Sequence, residues 1–247
     1  MSLIISDLHG NYAKCKAFIE YRPDEEHILL GDFMDSFSAS DADIIATFKL
    51  AVANECILLC GNHELPYLNN AHGYFRCSGN RYSPELFHVV NMYKELLHGS
   101  MIRDDYLLTH GGLSKKHGKP FKTIEDASTW INAEFDWYIN QPVAPESLSS
   151  IFDIGSLRGG YQDVSGIFWC SIGHEKMDIR FNQVVGHTAR PEPLVLFEGK
   201  GKNKKKHVGI DSPKFICYNT ATHELEDFML EEYRHDDQFR SMLERQF

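Results

Sequence analysis

Leu3-Ile4-Ile5-Ser6-Asp7-Leu8-His9-Gly10 is a short apolar run that ends in a polar loop closed by glycine, and the pattern recurs along the chain. His27-Ile28-Leu29-Leu30 runs into Gly31-Asp32, and Cys56-Ile57-Leu58-Leu59-Cys60 into Gly61-Asn62-His63-Glu64. Tyr106-Leu107-Leu108 runs into Thr109-His110-Gly111-Gly112, and Val184-Val185 into Gly186-His187-Thr188. Runs this short, bounded by glycine and polar residues, predict buried strands. Each leads into a loop that carries His, Asp or Asn. In a parallel sheet the carboxyl ends of the strands share one edge, where ligands bind, so the five loops are expected to converge there.

Helical patterns separate the early strands. Tyr12 to Ile19 is one, and Asp41 to Val52 is another with Ser40 as its N-cap. Pro84 to Leu97 places Leu86, Val89, Val90, Tyr93, Leu96 and Leu97 on one face, with Pro84 in the first turn. Thr123 to Asn140 opens with a Thr-x-x-Asp capping pattern at Thr123 and Asp126. Strand–helix alternation predicts βαβ units and a largely parallel sheet. Leu194 to Phe197, His207 to Ile210 and Phe215 to Tyr218 read as strands of a second, more antiparallel sheet, and a polar helix is expected from about Glu224 onward.

Composition narrows the class. The 247 residues are 43% hydrophobic and 12% aromatic, which excludes disorder and fits one domain over 1–247. A net charge of −10 argues against a dedicated nucleic-acid binder, which needs a basic face. No apolar run approaches the ~18 residues of a membrane span, and the start has no signal-peptide pattern. The six cysteines have no paired spacing, so the expectation is a reduced, cytoplasmic protein. Thirteen histidines point toward a metal or hydrolytic site.

The strand ends supply the ligands for such a site. Asp7 and His9 are two apart and can turn toward one point; Asp32 and Asp35, Asn62 and His63, His110, and His187 follow in order. Singly, each reads as a turn or capping residue. Five such motifs in succession, each after an apolar strand, point instead to a common centre. Carboxylate, imidazole and amide oxygen together suit Mn²⁺, Fe²⁺ or Zn²⁺.

In that order, Asp7-x-His9-Gly10, Gly31-Asp32-x-x-Asp35, Gly61-Asn62-His63-Glu64, His110-Gly111-Gly112 and Gly186-His187-Thr188 resemble the calcineurin-like metallophosphoesterases. The match is nearest to the phosphoprotein-phosphatase branch, which includes Ser/Thr protein phosphatases, lambda-type phosphatases and dinucleoside tetraphosphatases. The resemblance implies an α/β fold, a four-layer α/β/β/α metallophosphoesterase sandwich, with two divalent ions for which Mn²⁺ is favoured. It also implies that Asp7 and His9 hold the first ion, that Asp32 bridges both, and that Asn62, His110 and His187 hold the second. His63 is implied as general acid, oriented by Asp35, while a hydroxide bridging the ions attacks phosphorus.

One position departs from the family pattern. Gly-Asp-x-x-Asp is usually followed by Arg-Gly, whereas here Ser36-Phe37 follow Asp35, and serine cannot replace a bidentate cation. Arg76, Arg81, Arg158 and Arg190 are candidates to compensate. Arg158, in the glycine-rich Ser156-Leu157-Arg158-Gly159-Gly160, is the favoured phosphate ligand beside Asn62. The function expected is therefore a metal-dependent phosphomonoesterase of the Ser/Thr protein phosphatase type, acting on a phosphoprotein or a nucleotide. A dinucleoside polyphosphate hydrolase or phosphodiesterase is the alternative that the absent arginine keeps open. A catalytically inactive scaffold is the third reading, and the complete donor set weighs against it. The basic run Lys200 to Lys206 reads as a soluble hairpin tip, and the loop from Asn69 to Ser83 as a wall of the cleft.

Overall fold

The computed structural model describes residues 1–36, 38–69, 75, 82–143, 145–201, 204–234 and 239. In chain order the elements begin with β1 (Ser2–Ile5), α1 (Tyr12–Glu20), β2 (Glu26–Leu29), α2 (Asp41–Ala53), β3 (Ile57–Leu59), α3 (Pro84–Met92) and β4 (Leu97–His98). There follow β5 (Met101–Arg103), β6 (Tyr106–Leu108), α4 (Lys115–Gly118), α5 (Ile124–Ile139), β7 (Asn182–Val185), β8 (Leu194–Glu198) and β9 (Lys205–Gly209). The last are β10 (Ile216–Asn219), β11 (Glu224–Asp227) and α6 (Glu231–Arg234). Two sheets result, ordered β11-β10-β1-β2-β3-β4 and β5-β6-β7-β9-β8.

Side-chain alternation explains the layering. On β1, Leu3 and Ile5 face α1 and α2 in one core, while Ile4 faces the other way. Ile4, Ile28 and Leu59 meet Tyr106, Leu108, Val184 and Val208 between the sheets. The Tyr218 hydroxyl donates to the Tyr106 hydroxyl across this interface at 2.8 Å. Beyond the second sheet, Cys170, Ile172 and Met177 cover Val185, Leu194 and Leu196. Helix α5 closes the side where β4 and β5 lie. Two facing sheets with helices packed on the outer face of the first agree with the mixed α/β sandwich expected from the sequence.

Capping follows the sequence closely. Ser40 accepts from Asp43 N and Thr123 from Asp126 N, each in a complete capping box. Three other expectations are corrected. Glu224 to Asp227 is a strand, not the start of a helix, because its ladder with Ile216–Asn219 outweighs the local propensity of Glu-Leu-Glu-Asp. Helix α3 stops at Met92, since Leu97 pairs with Leu58 as a parallel strand. Strand β10, expected in the second sheet, lies in the first, antiparallel to β1. The basic run spans the link between antiparallel β8 and β9; Lys202 and Asn203 lie outside the described residues, as does most of the 69–83 loop.

The two sheets are also pinned at an edge. Arg103 of β5 grips Glu26 of β2 with two bonds, Nε to Oε2 at 2.8 Å and Nη2 to Oε1 at 2.9 Å. The Arg103 hydrogen bonds hold the Glu26 carboxyl below its usual value of 4.5, against the cost of partial burial. Arg103→Ala is expected to lower stability by about 1 kcal/mol, the scale for a bidentate, half-exposed pair. A lowered folded-state pKa stabilises above the unfolded value and stops doing so as pH falls through the folded one. Urea unfolding should therefore separate variant from wild type at pH 7, with the gap narrowing as pH drops below about 4.5.

Candidate functional site

The loops after β1, β2 and β3 face those after β6 and β7, so the site lies where two sheets meet and not along one sheet edge. Asp7, Asp32 and Asn62 come from the first sheet, His110 and His187 from the second. Asp7 N donates to Gly31 O at 3.1 Å and His9 N to Asp32 O at 2.9 Å, which ties the first two loops together. Asp7, His9, Asp32, Asp35 and His187 all have positive φ, between 44° and 64°. A left-handed backbone costs an L-residue roughly 1–2 kcal/mol, so the surrounding structure must impose it.

Glu64 supplies much of that constraint. Its carboxylate is fully buried and accepts four backbone N–H groups: Asp32 and Gly61 on Oε2 at 2.9 and 2.7 Å, Phe33 and Met34 on Oε1 at 2.9 Å. Burial and the Asp32 charge push its pKa up, and the amide donors pull it down. Gly61 and Gly186 permit close approach, since a Cβ on either would strike Asp32 or Asp7.

Two donor clusters share Asp32. His9, Asp32 and His63 form one, and Asp32, His110 and His187 the other, with ligand atoms in each within 4.8 Å of one another. His9 Nδ1 lies 2.8 Å from Asp35 O and His110 Nδ1 2.7 Å from Leu30 O. Both rings therefore donate Nδ1–H to backbone and turn Nε2 toward Asp32 Oδ2, at 3.7 and 3.3 Å. This carbonyl anchoring is how metal-binding histidines are usually oriented. His187 Nε2 is buried with no hydrogen-bond partner among the described residues. Oriented imidazoles, a shared carboxylate and an orphaned buried nitrogen fit a pair of divalent cations.

The side chains of the site also shift one another's protonation. Burial opposes ionisation of Asp32, but the His110 and His63 charges hold it well below the carboxylate range. His110, although buried, is lifted to about 10 by the Asp32 charge. His187 is depressed by burial and by the His110 and Arg158 charges. Asp7 stands outside both clusters; its carboxylate accepts from Ser6 Oγ and, at 3.0 Å, from His187 N. Asn62 Oδ1 is 2.9 Å from His110 Nε2.

Beside the clusters, Asp35 Oδ2 lies 3.2 Å from His63 Nδ1, and Tyr67 donates its hydroxyl to Asp35 Oδ1. Burial opposes protonation of His63, yet the Asp32 charge and the Asp35 hydrogen bond raise it to about 9. Ser36 caps its own loop through Ser38 N and Ala39 N. Arg158 donates from Nε to Ser171 Oγ at 2.9 Å and from Nη2 to Thr188 Oγ1 at 3.5 Å, next to His187. Arg190 turns instead to Ile172 O and His174. Arg76 and Arg81 lie outside the described residues.

Sequence reasoning gave no role to Glu64, although it closes a quoted motif, and did not find Tyr67 or the buried Lys14 near Asp7. Lys14, on α1, donates Nζ to Ser212 O at 2.7 Å, and nearby Asp211 is pushed up to about 8 by burial and the Asp7 charge. An acid directly after Asn62-His63 and before the apolar Leu65 was a usable signal; nothing local marked Tyr67 or Lys14.

A family model described as "Calcineurin-like phosphoesterase" matches residues 2–236. Serine/threonine-protein phosphatase T of Schizosaccharomyces pombe is 30% identical over 118 residues, 45% of this chain and 25% of that protein. Serine/threonine-protein phosphatase C23G10.1 of Caenorhabditis elegans is 30% identical over 132 residues, 50% and 28% of the respective chains. The matched segments thus span about a quarter of these relatives. Among solved structures, a mutant of a cold-active protein tyrosine phosphatase superposes with a TM-score of 0.50 at 15% identity, covering 92% of this chain and 80% of that one.

Replacing Glu64 tests the loop constraint directly. Glu64→Gln keeps the size but turns an amide –NH₂ toward backbone donors. Stability should fall by about 3 kcal/mol, the scale for losing charged hydrogen bonds in a buried place. Urea unfolding checks this, and calorimetric Mn²⁺ titration of the same variant should show weaker binding.

Proposed function

The chain belongs to the calcineurin-like phosphoesterase family, and from that premise we propose that it is a metal-dependent phosphomonoesterase of the Ser/Thr protein phosphatase type. The observation that carries this reading is the pair of donor clusters sharing Asp32, set beside the His63–Asp35 pair. Asp7 and His9 would hold one ion, Asp32 both, and Asn62, His110 and His187 the other, with Mn²⁺ the favoured metal. When bound, the ions supply Lewis acidity at the phosphoryl group and make water nucleophilic near neutral pH.

The chain's own residues do the rest. His63, kept protonated, donates its Nε2 proton to the departing oxygen. Asp35 holds the Nδ1–H and fixes the ring, and Tyr67 holds the second oxygen of Asp35. Arg158, held by Ser171 and Thr188 next to His187, binds free phosphoryl oxygens in place of the family arginine that Ser36 replaces. Asn62, whose Oδ1 lies 2.9 Å from His110 Nε2, would hold the second ion and also contact the phosphate. The substrate is then a phosphorylated protein or nucleotide, and among the described residues no helix is long and apolar enough to cross a membrane.

One observation favours a second reading. Ser36 is used up inside its own turn, and a diester or anhydride has fewer free oxygens to grip. A dinucleoside polyphosphate hydrolase or phosphodiesterase therefore remains the competitor. An inactive scaffold is opposed by the complete donor set.

Rates with Mn²⁺ on p-nitrophenyl phosphate, bis-p-nitrophenyl phosphate and diadenosine tetraphosphate decide between the enzyme readings; the monoester should be fastest, and a faster diester or tetraphosphate overturns the assignment. Asp32→Asn is expected to abolish hydrolysis and to lower bound metal, measured by elemental analysis; full activity would sink the mechanism. Arg158→Ala should cut kcat/KM about tenfold, or about 1.4 kcal/mol of transition-state stabilisation. Unchanged kinetics would remove Arg158 from the site.

A further inference from the structure

Beside Arg158 the surface carries a charge that the acidic chain as a whole does not predict. Helix α4 begins five residues after His110 and lies against the 171–177 segment through the Ser114–Met177 bridge. Lys115 N donates to Lys176 O at 2.8 Å, which holds the two segments in register. Together with Leu157, Asp163 and Val164 they line a groove of about 510 Å³, a volume that takes several side chains.

The groove has an apolar floor and a cationic rim. Leu157 is 62% exposed and Val164 half-buried, and both line it. Lys115, Lys116, Lys119 and Lys176 are all exposed, and among the described residues none of their ammonium groups has a hydrogen-bond or ion-pair partner. Glu175, the nearest acid in sequence, is committed inward: its carboxylate accepts Ser165 N and Ser171 N, both at 2.7 Å. Among the described residues Asp163 is the other acid of the lining, so cations exceed anions there in a chain of net charge −10. Leu157, which lines the groove, directly precedes Arg158, so the groove adjoins the proposed phosphate ligand along the chain.

We propose that this groove docks the acidic segment flanking the phosphorylated side chain of a protein substrate. The proposal rests on the phosphomonoesterase reading and narrows its substrate class. Unpaired lysines attract carboxylates and phosphates, and their methylene stems offer apolar contact to a peptide. Among the described residues no Phe, Tyr or Trp lines the groove to stack a base, which favours a peptide over nucleic acid. Charges spaced along α4 and across to Lys176 match an extended chain carrying several acids better than one compact anion.

The test uses the full chain and a variant with Lys115→Gln, Lys116→Gln, Lys119→Gln and Lys176→Gln, which removes charge from exposed positions only. Probes are fluorescein-labelled peptides with a methylene phosphonate in place of phosphoserine, flanked by four acids or by four glutamines. Matching phosphoserine peptides serve for kinetics. Wild type should bind the acidic peptide at least about tenfold more tightly than the glutamine peptide, with the gain in kcat/KM carried by KM. The variant should lose that difference while turning over p-nitrophenyl phosphate normally. Equal affinity of wild type for the two peptides overturns the proposal, as does a preference that survives in the variant. It is also overturned if the lysines matter only for diadenosine tetraphosphate or a labelled oligonucleotide. Lysine-dependent peptide binding by a chain that hydrolyses no phosphomonoester would sustain the groove and sink the catalytic reading. Hydrolysis of p-nitrophenyl phosphate without peptide discrimination would do the reverse.

Discussion

The buried carboxylate of Glu64 is the contact on which the site depends. Two oxygens collect four backbone N–H groups from two loops that are about thirty residues apart in sequence. Each loop is thereby held where Asp32 can face histidines from both sheets. Without these bonds Asp32 and Asp35 would have little reason to keep a left-handed backbone, and the two donor clusters would lose their shared member. A carboxylate serves here as structure, placed one residue after a histidine proposed for chemistry.

Electrostatics follow from that arrangement. Asp32 ionises in a buried place because imidazoles surround it, and His110 is protonated because Asp32 is charged. In the chain by itself the histidines supply the positive charge. Divalent ions would take over that role, so a site rich in acids becomes locally attractive to phosphate. The net charge of −10 argues against a nucleic-acid scaffold and has no bearing on an anionic substrate. The unpaired lysines beside Arg158 make the same point on the outer surface, where local charge opposes the total.

Much of the site was legible because its residues sit at fixed offsets from strand ends. His9, His63, His110 and His187 stood out from thirteen histidines by following apolar runs. Among the described residues His117 bonds Ser114 and Asp153, away from the donor clusters. The capping boxes at Ser40 and Thr123 were equally local and equally readable. What failed was the placement of partners far along the chain. Strand β10 pairs with β1 across more than two hundred residues, and Glu224 to Asp227 extends because β10 is there to receive it. Tyr67 reaches Asp35, and Lys14 reaches Ser212, with no mark in the sequence around them.

The amino-acid sequence by itself determined which donors exist and that they follow strands, because hydrophobic alternation and turn chemistry act over a few residues. It could not say that His110 and His187 approach from a second sheet, or that Asp7 accepts hydrogen bonds from Ser6 and from His187 N. Those outcomes depend on the core between the sheets, where Ile4, Ile28 and Leu59 meet Tyr106, Leu108 and Val184. Burial between layers is non-directional and sums over distant segments, so only the folded chain decides which loop faces which.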